Sequence, residues 1–329
     1  MSPRTLKLLG YLAWIAGLAA LVALVIAEGA ADVLRAIAEG GAGVLAVAAI
    51  WLLPMLADTM SWQRLLAGRS AIRFASLFWI RWIGEGVKNL LPVTTVGGDL
   101  LRAWLANRGY GVPGALAGAS VVVDVTLAVL TQILFTFMGL AVLVTLGTGG
   151  VLVHATLLGS ATLGLALALF FVVQRAGLFG FSGRLVERLA SRAGWTRIVA
   201  QGDALDVEIR ALYARRRELA AAMVWRLLAW LAGTLEVWAG LAVLGHPVSL
   251  AEAVMLESLI QAVRSAAFMV PGAYGVQEGA LIVLGGVIGI APGVALALSL
   301  LKRVREIAWG LPALAVWQLS ALHRAWRAG

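Results

Sequence analysis

The sequence predicts an all-α polytopic membrane protein: about six transmembrane helices plus two re-entrant helical hairpins arranged as inverted-topology repeats. Three observations lead there. Hydrophobic residues make up 61% and charged residues 13% of the 329 positions, and the mean hydropathy is +0.93, whereas soluble domains carry about a quarter charged residues. Apolar segments long enough for a bilayer alternate with short basic connections. Finally, a block near Pro92 recurs 179 positions later without a gap: Pro92 pairs with Pro271, Asp99 with Glu278, Pro113 with Pro292, Gly114 with Gly293 and Ser120 with Ser299. At the same offset Glu85 pairs with Arg264 and Asp124 with Arg303, with the charge reversed.

A spanning helix needs about 20 mainly apolar residues. Residues 8–27, 42–60, 115–146, 151–173, 219–244 and 294–318 meet this. The first follows a basic leader, so a cleaved signal peptide is the alternative, but its apolar run is longer than a usual h-region and predicts a retained anchor. Two further apolar stretches, 74–107 and 250–290, are interrupted at Pro92 to Asp99 and at Pro271 to Glu278. Proline lacks an N–H there and glycine tolerates unusual backbone angles. Each stretch therefore reads as a helical hairpin that enters and leaves on one side.

The net charge of +9 could suggest a nucleic acid, but the basic residues cluster at span ends and follow the positive-inside rule. Arg4, Lys7, Arg64, Arg69, Arg73, Arg102, Arg108, the nine arginines of 174–218, Arg324 and Arg327 share one side; the other holds only Arg35. Both termini are thus expected in the cytoplasm. Three crossings separate the two broken segments, an odd number, so the second copy is upside down. The chain reads as one membrane domain, 1–329, with repeats at about 74–146 and 250–320. The connection 174–218 mixes Arg with Leu, Val, Phe and Trp195 and predicts helices on the headgroup surface, with a solvated loop as the alternative.

Charges inside a bilayer are costly, so they are paired or face a wet cavity. Glu85, Lys88 and Asn89 share neighbouring positions in the first hairpin arm. Asp99, after Gly97-Gly98, is placed to cap the returning arm, and Glu278, beside Gln277, occupies the same place in the second copy. Ser120 and Asp124 lie on one face of the third span with Thr131. Ser299, Arg303 and Glu306, joined by Lys302 and Arg305, form the matching face of the last. One expectation is structural, with Asp124–Arg303 and Glu85–Arg264 as buried pairs tying the repeats together. The other is a polar cavity built from Glu85, Lys88, Asn89, Asp99, Arg102, Ser120, Asp124, Arg264, Tyr274, Gln277, Glu278, Ser299, Arg303 and Glu306. In that cavity the arginines receive an anionic or hydroxylated headgroup and Asp99 or Glu278 carries a proton. Tryptophans such as Trp51 near span ends suit an interfacial belt.

No cysteine is present and the three histidines are far apart, so no metal or cofactor is expected. There is no phosphate-loop motif and no nucleophile with an adjacent base. That leaves a transporter first, then an intramembrane lipid-modifying enzyme using Asp99, Glu278 or Asp124, then a scaffold for lipid-synthesis or export proteins.

These residues carry a resemblance. Pro92, Gly97-Gly98-Asp99 and Arg102, followed by a Gly- and Ala-rich stretch and Ser120 to Asp124, resemble the transmembrane region of the lysylphosphatidylglycerol synthase/flippase family. The stretches Val270 to Gly279 and Ala297 to Glu306 are similar to hopanoid-associated members of that group. The likeness spans about residues 10–320. It implies lipid translocation or trafficking, with hopanoids moving toward the outer membrane or, alternatively, phosphatidylglycerol-type lipids flipping, and membrane lipids as the main partners. The synthase branch adds a large soluble domain not found in this sequence, so aminoacyl transfer is not expected. The family pattern often has Arg where Asp124 stands.

Overall fold

The computed structural model describes residues 41–90, 95–146, 195–267, 270 and 273–328. Ten helices follow one another among them: α1 (Ala42–Ile50), α2 (Leu52–Leu66), α3 (Phe74–Leu90), α4 (Thr95–Tyr110), α5 (Gly114–Thr145), α6 (Trp195–Ala214), α7 (Arg216–Val243), α8 (Leu250–Ala266), α9 (Val276–Val287) and α10 (Pro292–Ala328). No strand occurs among the described residues. The protein is all-α and polytopic. The expected spans 8–27 and 151–173, and the prolines Pro92 and Pro271 at the two breaks, lie outside the described residues.

Among the described residues, three spans are long and apolar enough to cross a membrane: Leu45–Leu66, Gly114–Thr145 and Arg216–Val243. The first is jointed at Trp51, between α1 and α2. Pro54 accounts for the joint, since it has no N–H to donate to Ile50 one turn back. The expected last span, 294–318, forms part of one continuous helix but fails on composition. Lys302, Arg303, Arg305 and Glu306 crowd its middle, and all four are buried among other helices. Protein contacts, not apolar composition, make that segment tolerable in a bilayer.

Both broken stretches are pairs of helices, α3 with α4 and α8 with α9, each pair in contact. At 1.5 Å per residue, α3 and α4 are each roughly 25 Å long, close to the hydrocarbon thickness. Their backbones nearly touch at Gly84 and Gly98: a Cβ on Gly98 would lie 2.5 Å from the Gly84 carbonyl oxygen. Between α8 and α9 the chain turns through Ala273 (φ 48°) and Gly275 (φ 77°), a left-handed conformation that costs a residue with a Cβ.

The packing is reciprocal. Helix α3 lies against α10, and α8 lies against α5; α4 packs on α5, and α9 on α10; α2 runs along α7 between the two sets. The α3–α10 contact is tight at Gly86 and Gly310, where a Gly86 Cβ would be 3.1 Å from the Gly310 carbonyl oxygen. Trp82 donates to the Trp309 carbonyl at 2.8 Å beside it. The α5–α8 contact is equally close, with Ser258 against Gly139. Such small residues let helices approach where lipid gives no hydrophobic drive to associate. The two larger apolar cores among the described residues lie around Trp62, Leu77, Ile80 and Leu116 and around Leu140, Val237, Leu256 and Leu281.

Candidate functional site

Among the described residues, most of the buried charges gather into three clusters. In the first, Asp124 of α5 is fully buried, and three guanidinium groups converge on its Oδ2: Arg81 of α3 at 2.9 Å, Arg102 of α4 at 2.6 Å and Arg226 of α7 at 2.8 Å. Asp124 Oδ1 has no hydrogen-bond partner among the described residues. Asp99 pairs with Arg102 at 2.9 Å, and Asp58 of α2 pairs with Arg226. Arg81 reaches Asp58 at 3.8 Å. Trp62 lies under Arg102, 4.5 Å from its ring centre, and donates its indole N–H to Ser120 Oγ at 3.0 Å. Three arginines face three aspartates, so the cluster is neutral.

In the second cluster, Arg303 of α10 donates to Glu278 at 3.1 Å and to Glu306 at 2.9 Å. Arg264 of α8 reaches Glu306 at 3.3 Å and Gln277 at 2.5 Å. Gln277 and Glu278 both bond Ser299 Oγ at 2.8 Å, and the Tyr274 ring stacks 4.2 Å from the Arg303 guanidinium. Two arginines balance two glutamates. Arg264 is the more open cation, its side chain 18% exposed.

The third cluster has the opposite centre of charge. Lys302 of α10, with no exposed surface, meets Glu257 of α8 at 2.5 Å and Glu236 of α7 at 3.9 Å. Arg305 meets Glu236 at 2.9 Å and stacks on Trp51, 3.7 Å from the ring centre. Trp51 thus offers its ring to a buried cation. A polar stripe continues from Glu257: Gln261 donates to it at 2.7 Å, and Gln132 of α5 bonds the Gln261 carbonyl and Ser265.

Two expected pairs are corrected by this geometry. Asp124 does not meet Arg303, nor Glu85 Arg264. Asp124 is saturated by arginines of α3, α4 and α7, Arg303 by glutamates of its own half, and Glu85 pairs with Lys88 at 3.5 Å. Glu85 and Asn89 face a narrow crevice shared with Arg305 and Glu306 of α10. The capping role of Asp99 is corrected as well. Helix α4 starts at Thr95, so Asp99 lies one turn inside it and bonds Arg102. Glu278 does cap: its Oε2 accepts the Gly275 N–H at 2.7 Å.

The fourteen expected site residues therefore separate. Asp99, Arg102, Ser120 and Asp124 join the first cluster, and Arg264, Tyr274, Gln277, Glu278, Ser299, Arg303 and Glu306 the second. Glu85 and Asn89 lie at the interface between the halves, while Lys88 pairs with Glu85 and lies beside Gly98 of α4. Asp58, Arg81, Arg226, Glu236 and Glu257 were missed, although each is a charge within an apolar segment and the cost of burying it was readable. No group of three or more metal-ligating side chains is placed to hold an ion among the described residues.

A model of the "Lysylphosphatidylglycerol synthase TM region" matches residues 12–311. No curated protein and no solved structure matches the chain. The match is to the family as a whole and does not single out its hopanoid-associated members.

Proposed function

Because this chain belongs to the lysylphosphatidylglycerol synthase transmembrane family, a family of lipid-related membrane proteins, we propose that it translocates lipids across the bacterial inner membrane by alternating access of two inverted repeats. Both termini face the cytoplasm in this reading, and the two hairpins enter from opposite sides. The observation that carries it is the reciprocal packing, α3 on α10 and α8 on α5, the pattern a two-fold relation between halves produces. Each hairpin brings a carboxylate, Asp99 or Glu278, to a neutral cluster of arginines.

A headgroup entering beside α8 and α9 exchanges with Glu306 or Gln277 for Arg264, or with Glu278 for Arg303, while Tyr274 supplies a face and a hydroxyl. The tails, acyl or polycyclic, stay in lipid. A neutral cluster can release one carboxylate contact and accept a headgroup oxygen without stranding a charge, which lowers the cost of each exchange. Hopanoid moving toward the outer membrane is the first cargo to test, and phosphatidylglycerol-type lipid the alternative. We assign no catalytic step; the carboxylates of the three clusters are engaged by arginine or lysine.

Native mass spectrometry with lipid extraction tests this on gently purified protein, comparing wild type with Glu278→Gln and Asp99→Asn. Enrichment of hopanoid or of one phospholipid, lost in the variants, is the expected result and names the cargo. Bulk-like lipid in all three would point instead to a scaffold.

A further inference from the structure

A cavity of about 480 Å³ opens well away from the ionic clusters, at the base of the first hairpin. Its walls are the loop joining α2 to α3 and the loop joining α4 to α5; Arg69, Ser70, Arg73, Ser76, Tyr110 and Gly111 contribute. Arg69 donates to Glu208 of α6 at 2.5 Å. Arg73 is exposed, and its guanidinium has no ion pair among the described residues. Ser76 stands in the first turn of α3; its N–H is taken by the Arg73 carbonyl at 3.0 Å, which leaves its hydroxyl, with those of Ser70 and Tyr110, as the polar lining. Guanidinium groups and hydroxyls are donors, and together they suit a phosphate oxyanion.

The charge sets the kind of phosphate. Arg69 and Arg73 supply two positive charges and Glu208 removes one, leaving a single net cation. That matches a phosphodiester, which carries one negative charge, better than a phosphomonoester. The surroundings select the source. Helix α4, whose last residue Tyr110 lines the cavity, exposes Leu100 (66%) and Trp104 (53%) one turn apart, an apolar strip for acyl chains. Anionic lipids of the cytoplasmic leaflet lie at this depth if Arg64, Arg69, Arg73 and Arg108 mark the cytoplasmic side.

We propose that this cavity docks the phosphodiester of an anionic glycerophospholipid, with Arg73 as its principal cation and the α4 face beneath its chains. The proposal extends the lipid-handling reading by giving the lipid a station at the membrane surface before the hairpins.

The full chain in detergent is titrated with phosphatidylglycerol, phosphatidylcholine or inorganic phosphate and followed by native mass spectrometry. Phosphatidylglycerol is expected to bind in preference to phosphatidylcholine. Arg73→Gln should weaken it by roughly tenfold, the loss of one charge-assisted hydrogen-bonding group; Tyr110→Phe should weaken it less. Because Arg73 is exposed, its replacement leaves the fold intact. Ser249→Ala, in the capping box of α8 and outside both the cavity and the ionic clusters, should bind phosphatidylglycerol as wild type does; Arg73→Gln should leave the lipid that co-purifies with the protein unchanged, so a failure here is separable from a failure of the transport cavity. Equal phosphatidylglycerol occupancy in wild type and Arg73→Gln would overturn the proposal. Complete displacement by inorganic phosphate would overturn lipid as the occupant.

Discussion

Replacing Asp124 with Asn removes the charge on which Arg81, Arg102 and Arg226 converge while preserving its shape. The loss is unevenly shared. Arg102 keeps Asp99 at 2.9 Å and Arg226 keeps Asp58. Arg81, 2% exposed, is left with Asp58 at 3.8 Å. One guanidinium is therefore stranded in a water-poor interior, a loss of about 3–5 kcal/mol by comparison with broken buried pairs. For a chain of this size that corresponds to a fall in melting temperature on the order of 10 °C. The assay is thermal unfolding in detergent, read by the fraction that remains monodisperse on gel filtration. A paired variant, Asp124→Asn with Arg81→Leu, should recover most of the loss, because the stranded charge is gone. An Asp124→Asn protein that melts with wild type, or a paired variant no more stable than the single one, would refute the reasoning.

Other substitutions probe the remaining contacts. Asp99→Asn should lower stability by no more than about 1 kcal/mol, since Asp99 is partly exposed and Arg102 keeps Asp124; the same melting assay reads it. Gly98→Ala should cost about 1–3 kcal/mol by forcing α3 and α4 apart, whereas Gly279→Ala, with nothing within 4 Å of the added methyl, should be neutral or stabilising by roughly 0.5–1 kcal/mol. Ser249→Ala removes the capping box that Ser249 and Glu252 form at the start of α8 and should cost about 1 kcal/mol, visible as faster local amide exchange there. Tyr274→Phe should retain bound lipid if the ring over Arg303 matters most, and Tyr274→Ala should lose it; lipid extraction distinguishes the two.

Much of the architecture was legible because a bilayer leaves few choices. Apolar length placed α2, α5 and α7, and the offset of 179 marked the two broken stretches, which are the helix pairs α3–α4 and α8–α9. Partners were less legible. Sequence puts Asp124 on a face of α5 but does not say that α7, almost a hundred residues later, carries Arg226 onto that face. The reversed charges at 124 and 303 suggested attraction across the halves, yet each is neutralised by closer groups. Gly97-Gly98 read as a helix break and so displaced Asp99 by a turn. In the fold both glycines lie inside α4, and Gly98 is there for its missing side chain, which admits Gly84.

The reciprocal packing has a consequence for biosynthesis. The first hairpin leaves the ribosome long before α10, the helix that covers α3 and lays Gly310 against Gly86. Until then Glu85, Asn89 and the Trp82 indole face lipid or whatever stands in for it. The earliest hairpin thus waits for the latest helix, and a chain truncated before α10 should be a substrate for membrane quality control even though every apolar span it contains has been inserted.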